Sequence, residues 1–196
     1  MRLIRNIAVS VVLIGICPIL ALPATLTKQQ QEIIEHIDSL NTQFDPDLLK
    51  AIAWLESHMT QFNADGATFV DGSLNRKLGR VSHDCGVFQL NEDTLKKAGL
   101  TKKQIKRCKT DANFNIDVGV SILEGKGIYI KNLQRQKKRW AKIVKKNTLK
   151  GMSDLDIQIL AYNSVQKDHS YVRLIKKYKE EKPWEQLLIV QNSIKN

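Results

Sequence analysis

The sequence has little cysteine, proline, glycine or aromatic content, and it has fewer acidic than basic residues. Three Cys, four Pro, ten Gly and 6% aromatic residues in 196 positions exclude a disulfide-built scaffold, a collagen-like chain and a linker-dominated chain. With only four His and no clustered His or Cys spacing, no metal site and no cofactor is predicted. A content of 42% hydrophobic and 26% charged residues is typical of one globular domain with its own core. The net charge of +11 raises the question of a polyanionic partner.

The first 24 residues have the order of a secretory signal peptide. A basic start over residues 1–5 precedes an apolar run over residues 7–20, which is shorter than the ~20 residues of a membrane-spanning helix. Small residues follow at Ala21 and Ala24, so we expect cleavage after Ala24, a mature domain over 25–196 and no stable membrane insertion afterwards. The alternative is an uncleaved membrane anchor. Cleavage would lower the net charge from +11 to +9.

Two cysteines, Cys85 and Cys108, remain after that cleavage. Export would place them in a compartment where disulfides persist, and we predict that they pair. The closed loop would stabilise the fold by roughly 3 kcal/mol in the chain-entropy model. The alternative is a pair of buried thiols.

Most of the mature chain has apolar residues at helical spacing, and residues 60–84 do not. That segment carries Asp-Gly turns with β-branched residues between them, which indicates turns and a short β-hairpin. The pattern therefore predicts a mostly α single domain with a turn-rich insertion. The predicted helices cover residues 28–40, 47–58, 92–98, 115–134, 153–163, 169–179 and a C-terminal helix over 183–194.

Basic residues concentrate between positions 131 and 150, where nine of twenty residues are Lys or Arg and none is acidic. We interpret this segment as a solvated helix or loop. Basic side chains around Trp140 are also compatible with a polyanion, and for a secreted protein a phosphate-bearing cell envelope fits better than nucleic acid. No nucleic-acid partner is predicted.

One carboxylate lies in an unusual setting. Glu56 follows Ile52 by four residues and Leu49 by seven, so it falls on the apolar stripe of its predicted helix. Apolar neighbours disfavour the charged form of a carboxylate, so such a group can donate a proton near neutral pH. Glycoside cleavage requires a general acid of this kind.

Four short strings together resemble the soluble lytic transglycosylase family. Residues 45–57 (DPDLLKAIAWLES) resemble its catalytic helix, 84–91 (DCGVFQLN) its Gly-Met-Gln motif, 115–119 (NIDVG) the start of its next helix, and 161–163 (AYN) its Ala-Tyr-Asn motif. The strings come in family order and span about 44–178. The chain is most similar to the small secreted subgroup associated with specialised secretion, conjugation and invasion systems.

The resemblance implies a helical lysozyme-like fold and cleavage of the MurNAc–GlcNAc β-1,4 bond of peptidoglycan by a monomer in the periplasm. Glu56 would protonate the glycosidic oxygen and then take the proton of the muramyl 6-hydroxyl, which leaves a 1,6-anhydro product. A secretion apparatus is an expected partner. The residues implied to contact sugar or orient it are Ser57, Gln89, Asn91, Tyr162 and Asn163.

Two alternatives stay open at this point. Glu56 followed by Asp84 also resembles animal-type lysozymes, in which the second carboxylate supports hydrolysis with a reducing product. A non-catalytic peptidoglycan-binding scaffold is the other, because residues 164–165 (SV) replace the small residue and Gly that usually follow Tyr-Asn. Phe88 also replaces the usual Met.

Overall fold

The computed structural model describes residues 26–75, 80–135, 152–162 and 170–187, with the backbone alone for 71–83 and 126–135. The predictions on residues 1–24, on most of 131–150, on Asn163 and on 188–194 lie outside these ranges. In the part that is described, no helix combines the length and the apolarity needed to cross a membrane.

The described chain is mostly helical with one small sheet, which confirms the predicted fold class. One further helical stretch covers residues 183–187. The elements, in chain order, are α1 (Lys28–Ser39), α2 (Pro46–Ser57), β1 (Val70–Asn75), β2 (Arg80–Cys85), β3 (Leu90–Asn91), α3 (Glu92–Lys97), α4 (Lys102–Thr110), α5 (Ala112–Arg135), α6 (Asp154–Tyr162) and α7 (Ser170–Glu181).

Local interactions define both ends of α2. The Asp45 side chain accepts a hydrogen bond from the Asp47 N–H at 3.0 Å, and Pro46 takes the first helical position, where its missing N–H costs nothing. At the other end His58 and Met59 adopt left-handed φ values of 53° and 56°. Their N–H groups bond back to carbonyls of the last helical turn, so the helix stops directly after its Glu-Ser pair.

The turn-rich segment contains the predicted hairpin. β1 and β2 pair antiparallel, with Val70 opposite Cys85. β3 pairs with the end of β2, which places Asp84 opposite Asn91. The four residues 86–89 connect β2 to β3, and we refer to them as the 86–89 loop.

Helix α4 is the one described helix that the apolar pattern missed. Its sequence KKQIKRCKT has only two apolar residues, Ile105 and Cys108, and both are buried. A capping box starts it, because Thr101 and Gln104 each bond the other's backbone N–H.

The core lies where α2 packs against α1 and α7. Ile37, Leu49, Ile52 and Ile175 are fully buried there. Trp184, in the stretch 183–187, is also buried, with its ring centroid 6.4 Å from that of Trp54 on α2.

Ion pairs at the start of α2 support this packing. Lys179 Nζ lies 2.6 Å from Asp45 Oδ2, and its hydrogen bond is the main reason that the pKa of Asp45 is lowered. Lys182 Nζ lies 2.7 Å from Asp47 Oδ2. The helix that carries Glu56 is thereby tied to the end of α7.

Candidate active site

Glu56 is partly buried on the last turn of α2 and accepts a hydrogen bond at Oε1 from the phenol of Tyr171. Tyr171 belongs to α7 and is only 8% exposed. Burial, followed by the charge of Glu56, raises the pKa of Tyr171 well above its usual range. The phenol therefore stays protonated and remains a donor to Glu56 at any physiological pH.

A second phenol lies close to both carboxylates. Tyr162, on the last turn of α6, donates from its hydroxyl to the Phe88 carbonyl at 2.8 Å. Burial, followed by the charges of Glu56 and Asp84, raises the pKa of Tyr162 well above its usual range. The hydrogen bond to Phe88 also ties Tyr162 to the 86–89 loop, which directly follows β2, the strand that carries Asp84.

Asp84 is held by an amide whose orientation is fixed. Asn91 Oδ1 accepts the N–H groups of Asp93 and Thr94 at 3.0 and 3.4 Å, as the N-cap of α3. The Nδ2 end must then face away from the helix, and it donates to Asp84 Oδ1 at 2.7 Å.

The 86–89 loop is held by side chains from outside it. Ser57 Oγ donates to the Val87 carbonyl at 2.9 Å, and the Val87 N–H donates to Gln61 Oε1 at 3.1 Å. The Phe88 N–H donates to Asn115 Oδ1 at 2.9 Å, and the Phe88 carbonyl accepts from Tyr162. The N–H and the carbonyl of Val87 and of Phe88 are thus all satisfied, by four side chains: Ser57, Gln61, Asn115 and Tyr162.

The Ser57 hydroxyl makes its hydrogen bonds within the protein. Ser57 is only 3% exposed, and its hydroxyl also accepts the Thr60 N–H at 3.0 Å. Its hydrogen bonds are therefore made to the protein interior. Ser57 supports the 86–89 loop, and its predicted role toward the substrate stays a prediction.

Gln89 has a backbone conformation that is costly for a side chain other than Gly. Its φ is 45°, and its Nε2 donates to the Gly86 carbonyl at 2.7 Å. Left-handed backbone of this kind costs on the order of 1–2 kcal/mol and is kept where surrounding structure enforces it, often at functional sites. Gln89 is partly buried at the end of the 86–89 loop, and its sugar contact stays a prediction.

The structure records Cys85 and Cys108 as free, buried thiols rather than as the predicted disulfide. Their backbones are close, because Asn115 Nδ2 donates to the carbonyl of each at 3.0 Å. Burial, followed by the neighbouring Cys85, raises the pKa of Cys108 to about 11. Their pairing stays a prediction.

Among the described residues, no group of three or more His, Cys, Asp or Glu side chains is placed to hold a metal ion. The groups that the described residues contribute to this place are the carboxyl groups of Glu56 and Asp84, the phenols of Tyr162 and Tyr171, and their amide supports. Asn163 lies outside the described residues, and its predicted contact with sugar stays a prediction.

Sequence reasoning missed Tyr171 and Gln61. A phenol on the apolar face of the predicted helix 169–179 was a usable signal, because a buried tyrosine hydroxyl needs a hydrogen-bond partner. For Gln61, in the turn-rich segment, no local pattern indicates burial. Asn115 belongs to one of the sequence motifs, and the structure shows that its side chain accepts the Phe88 N–H of the 86–89 loop.

The mostly helical fold with its small sheet is that of a lysozyme-like domain. Residues 35–185 match the family described as the transglycosylase SLT domain, and because the match covers more than half of the chain, the protein belongs to that family. Members are lytic transglycosylases, which act on peptidoglycan. No curated protein and no solved structure matches the chain significantly.

Proposed function

We propose that this protein is a periplasmic lytic transglycosylase that cleaves the MurNAc–GlcNAc β-1,4 bond with Glu56 and opens the cell wall locally for a secretion apparatus. The pairing of Glu56 with the Tyr171 phenol carries the proposal. It supplies one partly buried carboxyl group, oriented by a hydroxyl that keeps its proton, in a family of peptidoglycan-cleaving enzymes.

The reaction requires one proton to leave Glu56 and one to return. Tyr171 donates to Oε1, so we assign the acidic proton to Oε2, which delivers it to the glycosidic oxygen as the C1–O bond breaks. The muramyl 6-hydroxyl oxygen then bonds to C1, and its proton passes to the Glu56 carboxylate. Atoms and charge balance without water, and the enzyme is ready for the next bond.

Export and the secretion apparatus rest on the sequence of residues 1–24 and on the resemblance. Cleavage after Ala24 would keep the first contacts that the structure describes, because Leu26 is only 3% exposed and Thr27 caps α1.

Mass spectrometry of digested cell-wall sacculi tests the proposed reaction. We expect every newly formed muramyl end to be one water lighter than a reducing end, because the 6-hydroxyl rather than water attacks C1. Purified sacculi incubated with a known hydrolytic muramidase supply the reducing-end reference. New ends that are all reducing would show hydrolysis and contradict the transglycosylase assignment.

A lysozyme-type hydrolase is the second candidate, and the position of Asp84 favours it. The charges of Asp84 and Glu56 both raise the pKa of Tyr162, and Asn91 orients the Asp84 carboxylate by a hydrogen bond. A retaining hydrolase needs two carboxyl groups about 5–5.5 Å apart. Asp84→Asn therefore separates the two candidates in the same digest. If Glu56 works alone, the variant still forms anhydro ends. If Asp84 is the second catalytic carboxylate, the variant no longer forms reducing ends.

We also propose that Cys85 and Cys108 form a disulfide in the exported protein. Their carbonyls share the Asn115 donor, and both side chains are buried. Pairing releases two protons and passes two electrons to the disulfide donor of the oxidising compartment. Because both pKa values are raised, the buried thiols are protonated and slow to react in the finished fold, so we expect the bond to form during folding.

Reduction should then destabilise the isolated protein. A stabilisation of roughly 3 kcal/mol corresponds to a fall of about 6–12 °C in Tm for a chain of this size. Thermal unfolding with and without reductant measures this, with the double variant Cys85→Ser/Cys108→Ser as control for reductant effects elsewhere. Complete alkylation of both thiols in denatured, unreduced protein from the periplasm would contradict the bond.

A further inference from the structure

We infer that Gln61 is a positioning residue for the reaction: its carboxamide fixes the 86–89 loop relative to the helix end that carries Glu56. The inference rests on the proposed function. Gln61 lies in none of the four motifs that resemble the family, and it follows Glu56 by five residues in the turn-rich segment. In this role Gln61 touches no substrate and acts through the loop.

All the hydrogen-bonding groups of the Gln61 side chain that face the loop and α4 are used. The residue is 0% exposed. Oε1 accepts the Val87 N–H at 3.1 Å, and Nε2 donates to the carbonyls of Cys108 and Lys109, each at 3.1 Å. Those two carbonyls lie on the last turn of α4, where helical carbonyls lack N–H partners within the helix. A flipped amide would oppose like groups at all three contacts, so one orientation is enforced.

The backbone of Gln61 is also fixed. Its N–H donates to Gln29 Oε1 of α1 at 2.8 Å, and its carbonyl accepts the Phe69 N–H at 2.7 Å. The side chain therefore extends from an anchored backbone. It joins α1, the end of α4 and the 86–89 loop at one point.

The 86–89 loop connects Gln61 to the groups around Glu56. The Val87 N–H donates a hydrogen bond to Gln61. The Val87 carbonyl accepts one from Ser57, the residue after Glu56. The next carbonyl, that of Phe88, orients the Tyr162 phenol at 2.8 Å. Gln89, with its left-handed φ, follows directly. A displacement at the Val87 N–H thus reaches Tyr162 and Gln89 through two peptide units.

The alternative is that Gln61 only caps α4 and stabilises the fold. The two roles differ in what they change. A capping role affects the fraction of folded protein, whereas a positioning role also lowers the turnover of each folded molecule. Misplacement of catalytic surroundings by about 1 Å can lower a rate by about 10²-fold.

Gln61→Met tests the inference, with Thr68→Val as a matched control. The Thr68 hydroxyl donates to the Lys109 carbonyl at 2.7 Å, so it bonds the same end of α4 as Gln61 does, and this bond does not involve the 86–89 loop. Both substitutions should lower Tm. We expect Gln61→Met to lower kcat by about 10–100-fold per folded molecule with KM changed less than threefold, and Thr68→Val to change kcat less than threefold.

Gln61→Glu adds a second test, the pH dependence of kcat. A role limited to capping α4 predicts no such dependence in the kcat of the folded protein. The protonated carboxyl can donate to one α4 carbonyl while accepting from Val87, whereas the carboxylate opposes both carbonyls. Burial favours the protonated form, so kcat relative to wild type should be highest at low pH and fall as the pH rises. Equal kcat losses in Gln61→Met and Thr68→Val, or a loss confined to Tm, would overturn the inference.

These outcomes are distinct from a failure of the proposed function. If wild-type protein releases no anhydro ends from sacculi, the proposed reaction is wrong, whatever the variants do. If it releases them and Gln61→Met does so at the wild-type rate per folded molecule, the proposed reaction stands and the positioning role of Gln61 is wrong.

Discussion

Replacing Glu56 by Gln is expected to lower the release of muropeptides by at least about 10³-fold while the protein stays folded. The amide cannot protonate the glycosidic oxygen, and it cannot take the proton of the 6-hydroxyl afterwards. Each general acid or base contribution is typically worth 10²–10⁴-fold, and Glu56 supplies both in the proposed reaction. The amide oxygen still accepts from Tyr171, so the hydrogen bond to α7 has a partner in the variant.

Glu35→Gln is the matched control for this substitution. Glu35 is exposed on α1, so the same charge change there should leave both turnover and Tm unchanged within error. Turnover by Glu56→Gln within tenfold of wild type would contradict the catalytic assignment. If wild-type protein has no turnover and Glu56→Gln binds sacculi as well as wild type does, the non-catalytic scaffold becomes the better account.

The sequence could predict those parts of the site that depend on neighbouring residues. Asp45 and Pro46 mark the start of α2, and helical periodicity places Glu56 on its apolar stripe. The hairpin was indicated by its turn residues, and β1 and β2 pair there. Helix α4 could also have been found, because the Thr101–Gln104 capping box is a local signal that does not require an apolar face.

The remaining parts depend on contacts between distant positions, which no local pattern specifies. Tyr171 donates to a carboxylate 115 residues earlier in the chain, and Ser57 bonds a carbonyl 30 residues later. A serine after the glutamate is equally compatible with the cleft and with the interior. Only the position of the 86–89 loop decides between them, and that loop is positioned by residues from three other parts of the chain.

Glycine at position 86 begins this loop, and Gly86→Ala is expected to destabilise the fold by about 2–5 kcal/mol. Its φ is 77°, which costs an L side chain on the order of 1–2 kcal/mol. An added Cβ would also lie 2.4 Å from both Asn115 Nδ2 and Gln61 Oε1. Neither amide can move without breaking the hydrogen bonds that hold Val87 and Phe88, and overpacking typically costs a further 1–3 kcal/mol.

Substitutions at two other glycines measure the backbone cost and the crowding cost separately. Gly99 has a φ of 86° with nothing within 4 Å of an added Cβ, so Gly99→Ala measures the backbone cost alone. Gly119 is helical, and its Cβ would lie 2.6 Å from the Phe88 ring, so Gly119→Ala measures crowding of the same loop without a positive φ. We expect a fall in Tm of about 2–8 °C for Gly99→Ala and of about 4–20 °C for Gly86→Ala. Equal falls in the two variants would show that the amides of Gln61 and Asn115 yield to the added methyl group, and that the 86–89 loop is not held by them as tightly as the contacts indicate.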